Sequence, residues 1–242
     1  MPTVFITGAS RGIGRAAALL FAGQGYLTAV NYNRSEAEAL SLIDKIRSFG
    51  GHAVAIQGDV SDFTRCAEMI KKAEDAFGPV DTLINNAGIS CDKLFTDTSP
   101  EDWSRTFAVN VGGAYNCCRA VLPGMISRKR GSIVNVSSMW GVTGGSEVAY
   151  SASKAAVIGL TRALAKEMGP SGIRVNCIAP GVIDTDMNAR LSADDMAALA
   201  GETPLCRIGT PEEAAEAIFY LASDKARFIT GAVLNVNGGI VI

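Results

Sequence analysis

Residues 4–14 read Val4-Phe5-Ile6-Thr7-Gly8-Ala9-Ser10-Arg11-Gly12-Ile13-Gly14, and an alanine- and leucine-rich stretch follows. Val4-Phe5-Ile6 is apolar without alternation, the pattern of a strand covered on both faces. The glycines stand at Gly-x3-Gly-x-Gly spacing. Glycine lets the backbone turn sharply and come close to a pyrophosphate. A helix beginning there offers unpaired N–H groups and the positive end of its dipole. A tight turn also needs glycine for steric reasons alone, so the cluster gains its meaning from its place between a first strand and a helix. Gly8, Ser10, Arg11, Gly12, Ile13 and Gly14 are therefore candidate cofactor-binding residues.

Outward from this stretch the same rhythm repeats. Short β-branched runs at 3–7, 27–31, 53–57, 82–85, 132–136, 174–178 and 232–236 alternate with helix-like stretches at 12–24, 35–49, 61–77, 100–128, 149–169 and 211–222. This alternation predicts a Rossmann-type α/β fold: a doubly wound, parallel, seven-stranded sheet with helices on both faces. No linker, low-complexity tract or fixed-period repeat divides the 242 residues. Residues 1–242 are thus expected to form a single dinucleotide-binding and catalytic domain. The polar stretch 182–210, with Pro204 and Gly209, breaks the rhythm and is expected to be a substrate lid.

Composition excludes several classes. Lys+Arg is 22 and Asp+Glu 24, a net charge of −2, which gives no electrostatic footprint for nucleic acid. No apolar run approaches the roughly 18 residues of a membrane span. Met1-Pro2-Thr3-Val4 has no basic region before an apolar stretch, so no secretory signal is expected. Cys66, Cys91, Cys117, Cys118, Cys177 and Cys206 form no CxxC, which fits reduced thiols in a cytoplasmic protein. The single histidine, His52, rules out an HExxH zinc site; no metal site is expected, and His52 reads as a surface-loop residue.

The second strand should end beside the adenosine ribose, where an NAD enzyme usually places an acid on the 2′-hydroxyl. Here Asn31, Tyr32, Asn33 and Arg34 stand there instead. A carboxylate would repel a 2′-phosphate, whereas Arg34 and Arg11 could clamp one, so NADP is the expected cofactor. Asp59-Val60 and Asn86-Ala87-Gly88 follow the third and fourth strands, at the strand ends where open α/β sheets bind ligands. Asp59 has two readings: it accepts from an adenine amino group, or it caps the helix near Ser61. Ser137-Ser138 ends the fifth strand, and Tyr150 and Lys154 lie four apart, on one helix face. A free tyrosine titrates near 10, and a nearby ammonium is expected to lower that value, making a tuned proton donor. A Tyr-x3-Lys pair alone also occurs by accident on helix surfaces.

In order and spacing, residues 7–14, Asn85–Asn86–Ala87–Gly88, Asn110, Ser138, Tyr150-x3-Lys154 and Pro180-Gly181 resemble the short-chain dehydrogenase/reductase family over essentially the whole chain. Within it, Val30-Asn31-Tyr32, Ile183-Asp184-Thr185-Asp186-Met187 and Val236-Asn237-Gly238-Gly239 are most similar to the 3-oxoacyl-[acyl-carrier-protein] reductases of fatty-acid synthesis. These stretches also occur in relatives that reduce acetoacetyl-CoA, sugars, steroids or secondary alcohols. The resemblance implies that Tyr150 protonates the carbonyl oxygen as hydride arrives from the nicotinamide. Lys154 would hold the nicotinamide ribose, Ser138 would orient the carbonyl, and Asn110 would hold a relay water. Asn86, Ala87 and Gly88 would line the cofactor, with Pro180, Gly181, Ile183 and Thr185 at its nicotinamide end. A nucleotide sensor that keeps the fold without the chemistry is the rival from another class; it would have no need of the proton donor.

Two departures stand out. Ser138 and Tyr150 are 12 positions apart, whereas the family commonly shows 13. Either the loop 142–148 is one residue short or Ser137 takes the catalytic place; the strand anchor 133–138 favours Ser138. Arg128-Lys129-Arg130 is a basic cluster expected near the cleft, able to meet an acidic acyl carrier protein, while Ser171 stands where a second basic residue is expected. Finally, apolar residues cover more of 152–168 than one core stripe needs, and the chain ends Ile240-Val241-Ile242. Together with the resemblance, this leads to the expectation of a homotetramer.

Overall fold

A computed structural model describes residues 1–189 and 191–241. Seven parallel strands form one sheet in the order β3-β2-β1-β4-β5-β6-β7. They are β1 (Thr3–Ile6), β2 (Leu27–Tyr32), β3 (His52–Gln57), β4 (Val80–Asn85), β5 (Gly131–Val136), β6 (Ile173–Pro180) and β7 (Val233–Val236). Alternate side chains of β1 serve opposite layers: Val4 and Ile6 pack under α1 (Gly12–Gly23), α2 (Glu36–Ser48) and α9 (Pro211–Ala222). Phe5 packs under α3 (Phe63–Phe77), α5 (Gly113–Arg128) and α7 (Val148–Met168). Both sets are buried, which is why the strand reads as apolar without alternation. The strand order reverses between β1 and β4, and the crevice at such a switch point is where doubly wound sheets bind ligands.

Two sequence expectations change. The helix expected over 100–128 is two helices, α4 (Pro100–Phe107) and α5, joined by a wide π turn at Ala108–Gly112 that carries Asn110. Such turns cost helix regularity and cluster at functional sites. His52 is not in a loop: it is the exposed first residue of β3, paired with Leu27. Within residues 182–210, Ser192 and Asp195 form a capping box that starts α8 (Ala193–Glu202). A parallel bridge between Ile183 and Gly209 pins the ends of this stretch together. Arg190, within the stretch expected to be a lid, and Ile242 of the C-terminal run lie outside the described residues. The short helix α6 (Met139–Thr143) lies between β5 and α7.

Candidate active site

The turn after β1 is stitched to the turn after β4. Thr7 Oγ1 accepts from the backbone N–H groups of Asn86 and Ala87, and Asn86 Nδ2 donates to the carbonyls of Thr7 and Gly8, all at 3.0 Å. Gly8 has φ +60°, and a Cβ there would sit 2.9 Å from Ala87 Cα; a Cβ on Gly14 would sit 2.5 Å from Asn86 Nδ2. Only glycine fits either place. Arg11 occupies the N-cap of α1 in an extended conformation without a side-chain cap. The first N–H groups of this twelve-residue helix therefore have no side-chain acceptor, in a cradle kept free of Cβ atoms. An acceptor-rich pyrophosphate fits that donor set. Ser10 is buried and Ile13 half-buried beside it.

At the end of β2, Asn31 is a strut: its Oδ1 accepts from Gly8 N at 3.1 Å and its Nδ2 donates to Gly58 O at 3.0 Å. Tyr32 is buried and donates to Glu36 at 3.2 Å, and burial first, then Glu36, raises its pKa. Asn33 and Arg34 are exposed. Arg11 forms an ion pair with Asp186 at 3.6 Å, with both side chains more than 60% exposed, so that contact is weak. Asp59 is not the cap of α3; that role belongs to Asp62, which accepts from Arg65 N at 2.9 Å. Asp59 instead accepts from Ser61 N at 2.9 Å and Ser61 Oγ at 2.7 Å, and pairs with Arg105. Burial works against its carboxylate, but the hydrogen bonds from Arg105 and Ser61 outweigh it and bring the pKa down to about 2. Val60 packs against Gly113, where a Cβ would lie 2.6 Å from Val60 Cγ2.

Tyr150 and Lys154 sit one turn apart on α7 and both are buried. Lys154 Nζ lies 5.6 Å from the Tyr150 ring centre and donates to Val136 O at 2.8 Å. A Cβ on Gly88 would stand 3.2 Å from Nζ and 3.3 Å from Asn110 Oδ1, so glycine keeps the ammonium open. Asn110 accepts from Ile89 N at 2.8 Å and donates to Ile89 O and Ser153 Oγ, both at 2.9 Å. Ser138 accepts from Trp140 N at 3.2 Å, starting α6, and shares a hydrogen bond with the Tyr150 phenol. Ser137 is turned away from the phenol, donating to Lys154 O at 2.7 Å. The ring of Trp140 meets that of Tyr150 edge-on at 6.2 Å.

Electrostatics correct one expectation. The Tyr150 phenol is not lowered by its lysine: burial pushes it up to about 12, against the Ser138 hydrogen bond and with help from Glu147. The ammonium points at Val136 O, too far off to offset the loss of water. Burial likewise brings Lys154 down to about 8. At neutral pH the pair is a protonated phenol beside an ammonium, the state of a proton donor.

At the other rim, Pro180 ends β6, and a Cβ on Gly181 would lie 2.8 Å from Asn237 Cα. Ile183 is buried, and Thr185 stands against Gly12, whose Cβ would lie 3.3 Å from Thr185 Cγ2. The start of residues 182–210 thus meets the glycine turn after β1. The basic cluster does not lie near the cleft of its own chain. It precedes the N-terminal end of β5, whereas Ser138 follows the C-terminal end, so the two lie at opposite ends of the strands, with Arg128 donating to Val80 O at 2.7 Å. Ser153 and Arg105 are site residues that the motifs did not reveal, because only folding sets them beside Asn110 and Asp59.

Residues 8–241 match the family described as enoyl-(acyl carrier protein) reductase. Over 239 residues the chain is 41% identical to the 3-oxoacyl-[acyl-carrier-protein] reductase of Staphylococcus epidermidis, covering 98% of each. It belongs to the short-chain dehydrogenase/reductase family. The crystal structure of a 3-oxoacyl-[acyl-carrier protein] reductase from Brucella melitensis, 38% identical, matches 98% of this chain and 90% of that one with a TM-score of 0.92. A second Brucella melitensis structure with bound NAD, 37% identical, matches with a TM-score of 0.91 and the same coverage. As a short-chain dehydrogenase/reductase, the protein is an oxidoreductase that uses a nicotinamide cofactor on carbonyl and hydroxyl groups. Among the described residues, no helix is long and apolar enough to cross a membrane.

Proposed function

We propose that the protein reduces the 3-oxo group of an acyl chain on acyl carrier protein to the 3-hydroxyl, in fatty-acid synthesis in the cytoplasm, with NADPH as reductant. The observation that carries the chemistry is the buried Tyr150 phenol, hydrogen-bonded to Ser138 and one helical turn from the Lys154 ammonium. The reductase from Staphylococcus epidermidis supports the substrate class.

The bound cofactor supplies the hydride. Ser138 and Tyr150 hold the substrate carbonyl oxygen between their hydroxyls. As charge develops on that oxygen, Tyr150 gives up its proton there, and Lys154 holds the nicotinamide ribose. Asn110 fixes Ile89 and Ser153 and so keeps the floor of the site in register. The cradle of Gly8, Gly12 and Gly14 takes the pyrophosphate, Asp59 faces the adenine amino group, and Asn33 and Arg34 face the 2′-phosphate. The absence of a carboxylate among residues 31–34 supports NADPH. A nucleotide sensor would have no use for a buried tyrosine and lysine kept at such cost.

Two surfaces support a homotetramer with 222 symmetry. Ala155, Gly159 and Ala163 leave one face of α7 small and exposed. The edge strand β7 exposes Leu234, close in sequence to the fully exposed Phe228. An acyl carrier protein would reach the cluster 128–130 away from the same chain's cleft; Gly172 packs there, where a Cβ would lie 2.5 Å from Lys129 O.

A panel of carbonyl substrates assayed with NADPH and with NADH tests the reading. The highest kcat/KM is expected for 3-oxoacyl thioesters with NADPH. Preference for a sugar, steroid or simple ketone would move the substrate, and equal use of NADH would remove the NADPH assignment.

A further inference from the structure

We propose that Arg105 is a positioning residue for the cofactor's adenine. It locks the Asp59 carboxylate in one orientation, and through it the site selects a base that carries an exocyclic amino group. The inference rests on the reading that Asp59 faces the adenine.

The geometry is a closed ring. Arg105 Nη2 donates to Asp59 Oδ2 at 2.8 Å, and Nη1 of the same guanidinium donates to Ser61 Oγ at 2.9 Å. Ser61 Oγ in turn donates to Asp59 Oδ1 at 2.7 Å, with Ser61 N on the same oxygen at 2.9 Å. A carboxylate has about four acceptor positions. Three are filled by short bonds; the fourth contact, from Asn33 Nδ2 to Oδ2, is long at 3.3 Å. That is the contact an incoming amino group would replace. The guanidinium is a rigid planar fork, so gripping Asp59 and Ser61 together fixes the plane of the carboxylate, which a point charge could not do.

This grip contributes little to the fold. The Arg105 side chain is 46% exposed and Asp59 32%, and ion pairs at such sites add little to stability. Arg105 comes instead from α4, which leads through the π turn to Asn110. One short segment therefore braces both the adenine end and the floor of the catalytic end.

Equilibrium titration of the whole protein, read by reduced-nicotinamide fluorescence, tests this without turnover. The ligands are NADPH and its deamino counterpart, in which hypoxanthine replaces adenine. Wild type is expected to bind NADPH about tenfold more tightly, the range of a hydrogen bond to a charged acceptor. Arg105→Ala should bring the two affinities within about twofold by weakening NADPH alone, with an unchanged melting temperature, and Arg105→Lys should restore only part of the difference. If Arg105→Ala keeps the full discrimination, the inference is overturned and Asp59 still faces the adenine. If it weakens both ligands equally, Arg105 acts as a general charge and the inference is again overturned. If wild type does not discriminate, the placement of adenine at Asp59 fails and takes the inference with it.

Discussion

The Ser137 hydroxyl donates to the main-chain carbonyl of Lys154 at 2.7 Å, so the first serine of the pair ties β5 to α7. Its neighbour Ser138 has the opposite outlook, on the Tyr150 phenol. The two side chains leave the end of a strand on opposite sides, as successive residues of extended chain do. Ser138→Ala should lower kcat by roughly 10²–10³-fold, the usual loss of one donor to a developing oxyanion. Ser137→Ala should instead cost about 1 kcal/mol of stability with activity largely kept. Steady-state kinetics and urea denaturation of both variants separate the roles; the reverse order would make Ser137 the catalytic serine.

Tyr150→Phe keeps the ring against Trp140 and removes only the hydroxyl. A loss of about 10²–10⁴ in kcat is expected, with cofactor affinity nearly unchanged. A variant retaining more than about a tenth of the activity would exclude the phenol as general acid.

Burial brings Lys154 from 10.5 down to about 8. The unfolded chain therefore holds this proton more tightly between pH 8 and 10.5. The cost to stability is complete below pH 8 and shrinks as the pH rises toward 10.5, with a ceiling of about 3 kcal/mol. Lys154→Met should be inactive and yet more stable than wild type at pH 7, the gap narrowing by pH 9.5. Tyr150, raised to about 12, has the opposite sign: its contribution is lost as the pH rises through 10 toward 12, so the comparison stops at 9.5. Chemical denaturation of both proteins at the two pH values checks it; a gap independent of pH would exclude Lys154 as its source.

Light scattering coupled to size exclusion should give four times the 25.2 kDa of one chain. A dimer would leave either the α7 face or the β7 edge as an interface, and substitution of Ala163 or Leu234 by Glu would tell which. A monomer at micromolar concentration would exclude both.

By itself, the sequence determined the sheet, because apolar runs without alternation between amphipathic stretches have one good burial solution, a parallel sheet with helices on both faces. It also singled out the candidate residues that depend on local spacing: the glycines that need positive φ or lack room for a Cβ, and the tyrosine and lysine one helical turn apart. Tertiary structure decided what depends on distant neighbours. The π turn at Asn110 interrupts a stretch that reads as one helix, since helix periodicity does not record a widened turn. The protonation of Tyr150 follows from how much water α7 and the strand ends exclude, which no spacing reveals. The serine pair was legible as a pair, but only the packing of β5 on α7 shows which hydroxyl is spent on Lys154. Arg105 reaches Asp59 across 46 residues, and the basic cluster 128–130 falls at the N-terminal ends of the strands, opposite the site. Long-range contacts of this kind depend on how the elements pack, and local sequence carries no term for that distance.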